Sequence, residues 1–85
     1  MPWSIVLVKS AQKQLHTFPQ KSAEFIFRAL EAMETNPWSG DVVKLAGEDA
    51  MWRRRVGSYR IVFAIDLINK TVYIYAILRR TSSTY

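Results

Sequence analysis

The sequence predicts an α+β domain: an N-terminal strand and a two-helix hairpin packed on one face of a mostly antiparallel sheet, with three C-terminal strands. Three observations carry that expectation. Apolar residues recur at helical spacing between positions 9 and 35, whereas they alternate with polar and basic ones from 51 to 80. Pro37, Gly40 and Gly47 fall between these blocks and separate them. Helices come first and strands afterwards, the order of an α+β domain and not of alternating βαβ units. Eighty-five residues allow one domain, 1–85, with one core. The 49% hydrophobic and 13% aromatic content is rich enough to fill it, unlike that of a disordered chain.

Trp3 to Val8 is rich in β-branched and aromatic residues and predicts a short strand. Lys9 to His16 offers helix formers, with Ala11, Leu15 and Phe18 at helical spacing. At Thr17-Phe18-Pro19-Gln20, a capping Thr, an early Pro and a Gln three residues after the Thr predict a helix start. The helix, roughly 19–35, puts Ala23, Ile26 or Phe27, Leu30 and Met33 on one stripe. Asn36-Pro37 ends it, because Pro disfavours the α conformation in its predecessor. Val42 to Leu45 reads as a buried patch or a short extended piece between Gly40 and Gly47. Three strands follow: Met51 to Val56, Tyr59 to Asp66 after a Gly57-Ser58 turn, and Thr71 to Arg80. In the loop between the last two, Asn69 is the residue suited to positive φ.

Charge is placed unevenly. Residues 1–50 carry five Lys/Arg against six Asp/Glu, whereas residues 51–85 carry seven against Asp66 alone. A concentrated basic surface with nearby aromatics attracts polyanions and favours nucleic acid over a membrane. Charge alone leaves a merely solvated face open as the alternative. The apolar run near the N-terminus is too short for an export signal or a membrane span, which predicts a soluble protein. With no cysteine, neither disulfides nor thiolate metal sites can hold the fold, which is compatible with a reducing cytoplasm. His16 is the only histidine, so a His-based metal cluster or a Ser-His-Asp triad has no second histidine to build on. Asp41, Glu48 and Asp49 show no metal-ligand spacing, and no Gly-rich phosphate loop is present.

Strand alternation sorts the remaining candidates. Met51, Arg53 and Arg55 share one face; Trp52, Arg54 and Val56 share the other. Tyr59, Ile61, Phe63 and Ile65 oppose Arg60, Val62, Ala64 and Asp66. In the last strand, Val72, Ile74, Ala76, Leu78 and Arg80 form the face predicted to meet the helices, leaving Tyr73, Tyr75, Ile77 and Arg79 opposite. Arginines interleaved with tyrosines on a free sheet face suit single-stranded RNA. Guanidiniums grip phosphate oxygens and rings stack on unpaired bases. Singly, Tyr73 and Tyr75 also read as ordinary strand packing, and Arg54 and Arg80 as solvated charges. The recurrence of Arg53, Arg55, Arg60 and Arg79 is harder to attribute to chance.

The segment from Trp52 through Arg53-Arg54-Arg55-Val56-Gly57-Ser58-Tyr59-Arg60 to Phe63 resembles the signature of the RelE/ParE toxin superfamily. That signature has an aromatic residue, basic-x-basic, then Gly-x-Tyr-Arg and an apolar strand. Upstream, Asn36-Pro37 and Lys44-Leu45-Ala46-Gly47 resemble its helix end and connector. Downstream, Ile77-Leu78-Arg79-Arg80 through Tyr85 resembles its terminal strand and late Tyr. The resemblance covers nearly the whole chain. It implies a toxin of a type II toxin–antitoxin system, and for RelE-type members a cytoplasmic endoribonuclease that cuts mRNA in the ribosomal A site. The RNA's own 2′-hydroxyl attacks, so no metal or cofactor is implied.

By position, the resemblance assigns Arg60 and Arg79, with Arg55, to phosphate and transition-state charge. Arg53, Arg54 and Arg80 are assigned to RNA binding, and Tyr85 to stacking on a substrate base. The implied partners are an antitoxin, as a short helical peptide over the helices or the basic face, together with ribosome and mRNA. A ParE-like member would instead poison DNA gyrase without RNA chemistry, and a degenerate member would only bind its antitoxin. The chain departs from the RelE-type pattern in having Arg where that pattern has Lys, at 53 and 55. Arginine stays protonated and is a poor general base. Neither the His nor the acid used by sister toxins has a clear counterpart, although Asp41 and Glu48 lie in the right region.

Overall fold

A computed structural model describes residues 2–45 and 51–79 of the chain. Its elements are β1 (Ser4–Leu7), α1 (Lys9–His16), α2 (Gln20–Thr35), β2 (Asp41–Lys44), β3 (Met51–Val56), β4 (Tyr59–Asp66) and β5 (Thr71–Arg79). The five strands form one sheet in the order β1-β5-β4-β3-β2. Only β1 and β5 run parallel; the other three pairings are antiparallel. The expected α+β architecture holds, and residues 41–44 form an added edge strand.

Both helices lie on one face, and the core fills the layer between. From the sheet come Ile61, Phe63, Val72, Ile74 and Ile77, each essentially inaccessible to solvent. From α2 come Ile26, Ala29, Leu30 and Met33, and from α1 Ala11 and Leu15. The α2 stripe runs through Ile26, so Phe27 stands 52% exposed on its flank. On β4 the buried Tyr59, Ile61 and Phe63 alternate with half-buried residues, and the register sets Val56, Arg54 and Trp52 of β3 opposite them, in agreement with the parity of the sequence.

On β5 the parity breaks. Val62 pairs with Ala76 but Phe63 pairs with Ile74, so Tyr75 is an extra residue without a partner in register. A bulge of this kind shifts every later side chain to the other face. Ile77 therefore enters the core, while Leu78 points to the uncovered face and is 45% exposed. The expected apolar set of Ala76 and Leu78 is corrected accordingly. Bulging also disturbs the local ladder, and Gln14 of α1 accepts a hydrogen bond from the Ile77 N–H at 2.8 Å.

Two local expectations differ in detail. Thr17 ends α1, its Oγ1 donating to the Gln14 carbonyl at 2.7 Å, while α2 starts after Pro19 with no side-chain cap. Lys70, and not Asn69, takes the positive φ of 49° in the β4–β5 turn. Asn69 is instead occupied with Asp66, donating to it from both its backbone N–H and its amide. Asn36 is extended before Pro37, as expected, and its Oδ1 accepts from the Trp38 N–H. Among the described residues, no helix is long and apolar enough to cross a membrane.

Candidate nucleic-acid interface

The face of the sheet away from the helices is built by β3 and β4 at the end nearest their connecting turn. Alternation along β3 sends Arg53 and Arg55 to this face, and the antiparallel register sets Arg55 directly opposite Arg60. Like charges in that position repel and destabilise the sheet by up to about 1 kcal/mol. One carboxylate moderates them. Asp41 of β2 lies opposite Arg55, with Oδ2 at 3.9 Å from Nε. At that distance and exposure the pair is worth at most about 1 kcal/mol. Among the described residues, three guanidiniums at this end of the face thus meet one carboxylate.

Two of the guanidiniums are incompletely paired. Arg53 Nη1 and Arg60 Nε are shielded from solvent yet have no hydrogen-bond partner among the described residues. A buried donor left unmade costs about 1–3 kcal/mol, more when charged. Donors held without acceptors beside like charges suit an anion that supplies both charge and oxygen atoms.

The other arginines are placed elsewhere. Arg54 points to the helix side, where Nη1 donates to the Ala29 carbonyl at 3.0 Å and to Ser39 Oγ at 3.4 Å. Burial there pushes its pKa below the ordinary arginine value. It also packs on Gly40, whose φ is +83° and where an added Cβ would meet Arg54 Nε at 2.9 Å. Arg54 therefore ties α2 to the β2–β3 edge. Arg79 pairs with Tyr59, so the Tyr75 bulge turns it to the helix side and away from Arg60. Arg80 and Tyr85 lie outside the described residues, as does Glu48.

The tyrosines do not interleave with the arginines. Tyr73 pairs with Ala64, four positions along β4 from Arg60, which puts it roughly 14 Å away by strand rise. Tyr75 sits in the bulge, 44% exposed. Between them and the arginines the face is apolar, with Val62 and Ala76, and Leu78 lies beside Arg60. His16 lies far from this face, lining a helix-side groove with Leu7, Gln12, Leu15, Phe18 and Phe27. Sequence reading left the Asp41–Arg55 pair unnoticed. The β-branched pair Val42-Val43 was a signal for a strand there, but only its pairing register brings the two charges together.

The architecture and basic face can be set beside known proteins. The profile of the family described as ParE toxin of type II toxin-antitoxin system, parDE, matches residues 5–83. A relative from Methanocaldococcus jannaschii that carries the name RelE1 is 25% identical over 83 residues, covering 94% of this chain and 92% of that one. The RelE–RelB complex of Pyrococcus horikoshii contains a chain that superposes with a TM-score of 0.83 at 23% identity, covering 98% of this chain and all of that one. The RelBE2 toxin–antitoxin complex of Mycobacterium tuberculosis gives 0.84 at 22% identity, with 94% and 100% coverage. The fold is therefore that of the RelE chains in those complexes. The chain belongs to the ParE toxin family of type II toxin–antitoxin systems and is a toxin of that class.

Proposed function

We propose that this toxin is a ribosome-dependent mRNA endoribonuclease that stops translation. The observation that carries the reading is the convergence of Arg53, Arg55 and Arg60, with buried unpaired donors, on the uncovered sheet face. The substrate is the phosphodiester backbone of mRNA. Its own 2′-hydroxyl attacks the adjacent phosphorus, and the bond to the 5′-oxygen breaks. Negative charge grows on the phosphate oxygens, and preorganised guanidiniums stabilise it. Arg60 and Arg55 take that role; Arg53 positions the strand. Arg79 adds positive charge at the same end of the sheet from the helix side. Arg80 and Tyr85 complete the RNA-binding set by their match to the RelE pattern. Because arginines remain protonated, the 2′-hydroxyl proton passes to solvent water and the departing 5′-oxygen takes one from it, leaving a 2′,3′-cyclic phosphate and a 5′-hydroxyl.

An antitoxin partner belongs to this proposal. The similar solved structures include RelE chains in complex with RelB antitoxins, and an acidic segment laid over the arginine face would neutralise it. A second reading follows from the ParE profile itself: a protein that inhibits DNA gyrase and leaves RNA intact. Brief expression separates the two. The ribonuclease halts incorporation of labelled amino acids before any DNA damage response, and Arg60→Ala relieves the arrest. DNA damage with continuing translation would overturn the ribonuclease reading in favour of gyrase.

A further inference from the structure

We infer that a recess on the helix side, around the β3–β4 turn from the arginine face, is a nucleobase subsite for the same RNA strand. It rests on the RNA reading above and adds where a base next to the bound phosphate goes. The recess has a volume of about 340 Å³ and is lined by Ser22, Phe25, Val56, Gly57, Ser58 and Tyr59. Its place is fixed by register: Val56 pairs with Tyr59 one step beyond the Arg55–Arg60 pair. The intervening turn has open space beside it, since nothing lies within 4 Å of the position a Cβ would take on Gly57. A strand held by Arg60 can therefore cross the turn.

The lining has the chemistry of a base site. Phe25 is 62% exposed, although it lies on a helix whose core stripe is otherwise well buried. Tyr59 is held from behind by Phe18, with ring centroids 4.6 Å apart. The exposed Phe25 ring can stack on any base, the buried Tyr59, 7% exposed, forms the floor, and the Ser22 and Ser58 hydroxyls offer partners for a base edge. The rim is cationic. Arg79 lies opposite Tyr59, and Lys21 and Arg28 line the adjoining hollow with Phe25, where Glu24 is the single acid. An apolar protein side chain has no use for that ring of charge; a nucleotide does. Two residues that the arginine face leaves aside, Phe25 and Arg79, thereby acquire a common role.

The test uses the whole toxin and a short single-stranded RNA carrying one 2-aminopurine, with a 2′-deoxy nucleotide on its 5′ side to block cleavage. Binding should quench the 2-aminopurine through stacking. Phe25→Ala should weaken binding by about 5- to 150-fold, the range carried by one base–aromatic stack, and remove the quench, whereas Phe25→Trp should retain both. Arg79→Ala should weaken binding without abolishing the quench at saturation. If wild type and Phe25→Ala bind alike and unquenched while Arg60→Ala does not bind, the recess is overturned and the phosphate site stands. If the wild type does not bind the probe at all, the recess is overturned, whereas the ribosome-dependent reading stands or falls on cleavage of translated RNA.

Discussion

Gly40→Ala tests the brace that holds the β2–β3 edge beside the arginine face. Gly40 has a φ of +83°, and its Cβ would fall 2.9 Å from both Arg54 Nε and Arg54 Nη2. Two costs follow. Placing a Cβ at that backbone angle costs about 1–3 kcal/mol. Pushing the guanidinium aside also strains its 3.0 Å bond to the Ala29 carbonyl, a charged hydrogen bond of about 1.5–3 kcal/mol. Because the guanidinium can shift before the bond is lost entirely, the combined loss should be about 2–4 kcal/mol, read from urea unfolding followed by fluorescence. The tryptophans suit this assay, since Trp38 lies 5.7 Å from Trp3 and 6.3 Å from Trp52 between ring centroids. A double-mutant cycle isolates the contact. With Arg54 already changed to Met, the Gly40→Ala penalty should fall towards its backbone part, giving a coupling of about 1 kcal/mol or more. A Gly40→Ala protein within about 0.5 kcal/mol of wild type, or strict additivity with Arg54→Met, would refute the brace.

Two further outcomes follow from the hydrogen bonding. Asp66 accepts from the Asn69 amide, the Asn69 N–H and the Ile68 N–H, and these bonds hold its carboxyl below the usual range. A depressed folded-state pKa gives stability that is present above the unfolded pKa and lost as pH falls through the folded value. Acid titration of unfolding should therefore show a limb below the ordinary Asp range that Asp66→Asn removes; an unchanged profile would contradict it. Gln14→Leu leaves the Ile77 N–H without its acceptor and should cost about 1–3 kcal/mol. Hydrogen exchange of the Ile77 amide should accelerate together with it, and unaltered protection would show that the bulge does not depend on α1.

The parts of the fold legible in the sequence are those governed by local periodicity. β3 and β4 follow their alternation, and α2 follows its stripe to a stop at Asn36-Pro37. Tyr75 shows where local reading ends. Nothing in Tyr73-Ile74-Tyr75-Ala76-Ile77 marks an extra residue, because Ile74 and Ile77 suit the core under either parity. The choice is made by β4 pairing and by Gln14, which is distant in sequence. Arg54 is a similar case. Alternation already separates it from Arg53 and Arg55, but its carbonyl partner is on α2 and its hydroxyl partner in the α2–β2 connection. Thr17 shows competition between two local roles, the end of one helix and the start of the next, which its own residue type does not decide. For the candidate site, basic-x-basic followed by Gly-x-Tyr-Arg was readable as a shared face. The Asp41 pairing, the helix-side position of Arg79 and the Phe25 recess required tertiary register.

The central claim is that Arg53, Arg55 and Arg60 form a site for cutting translated RNA. Its most direct test maps RNA 5′ ends across the transcriptome after a brief pulse of expression, for the wild type and for Arg60→Ala at matched protein levels. The account predicts new 5′-hydroxyl ends inside reading frames, in register with codons, that disappear in Arg60→Ala. Growth arrest without such ends, or ends that persist unchanged in Arg60→Ala, would contradict it.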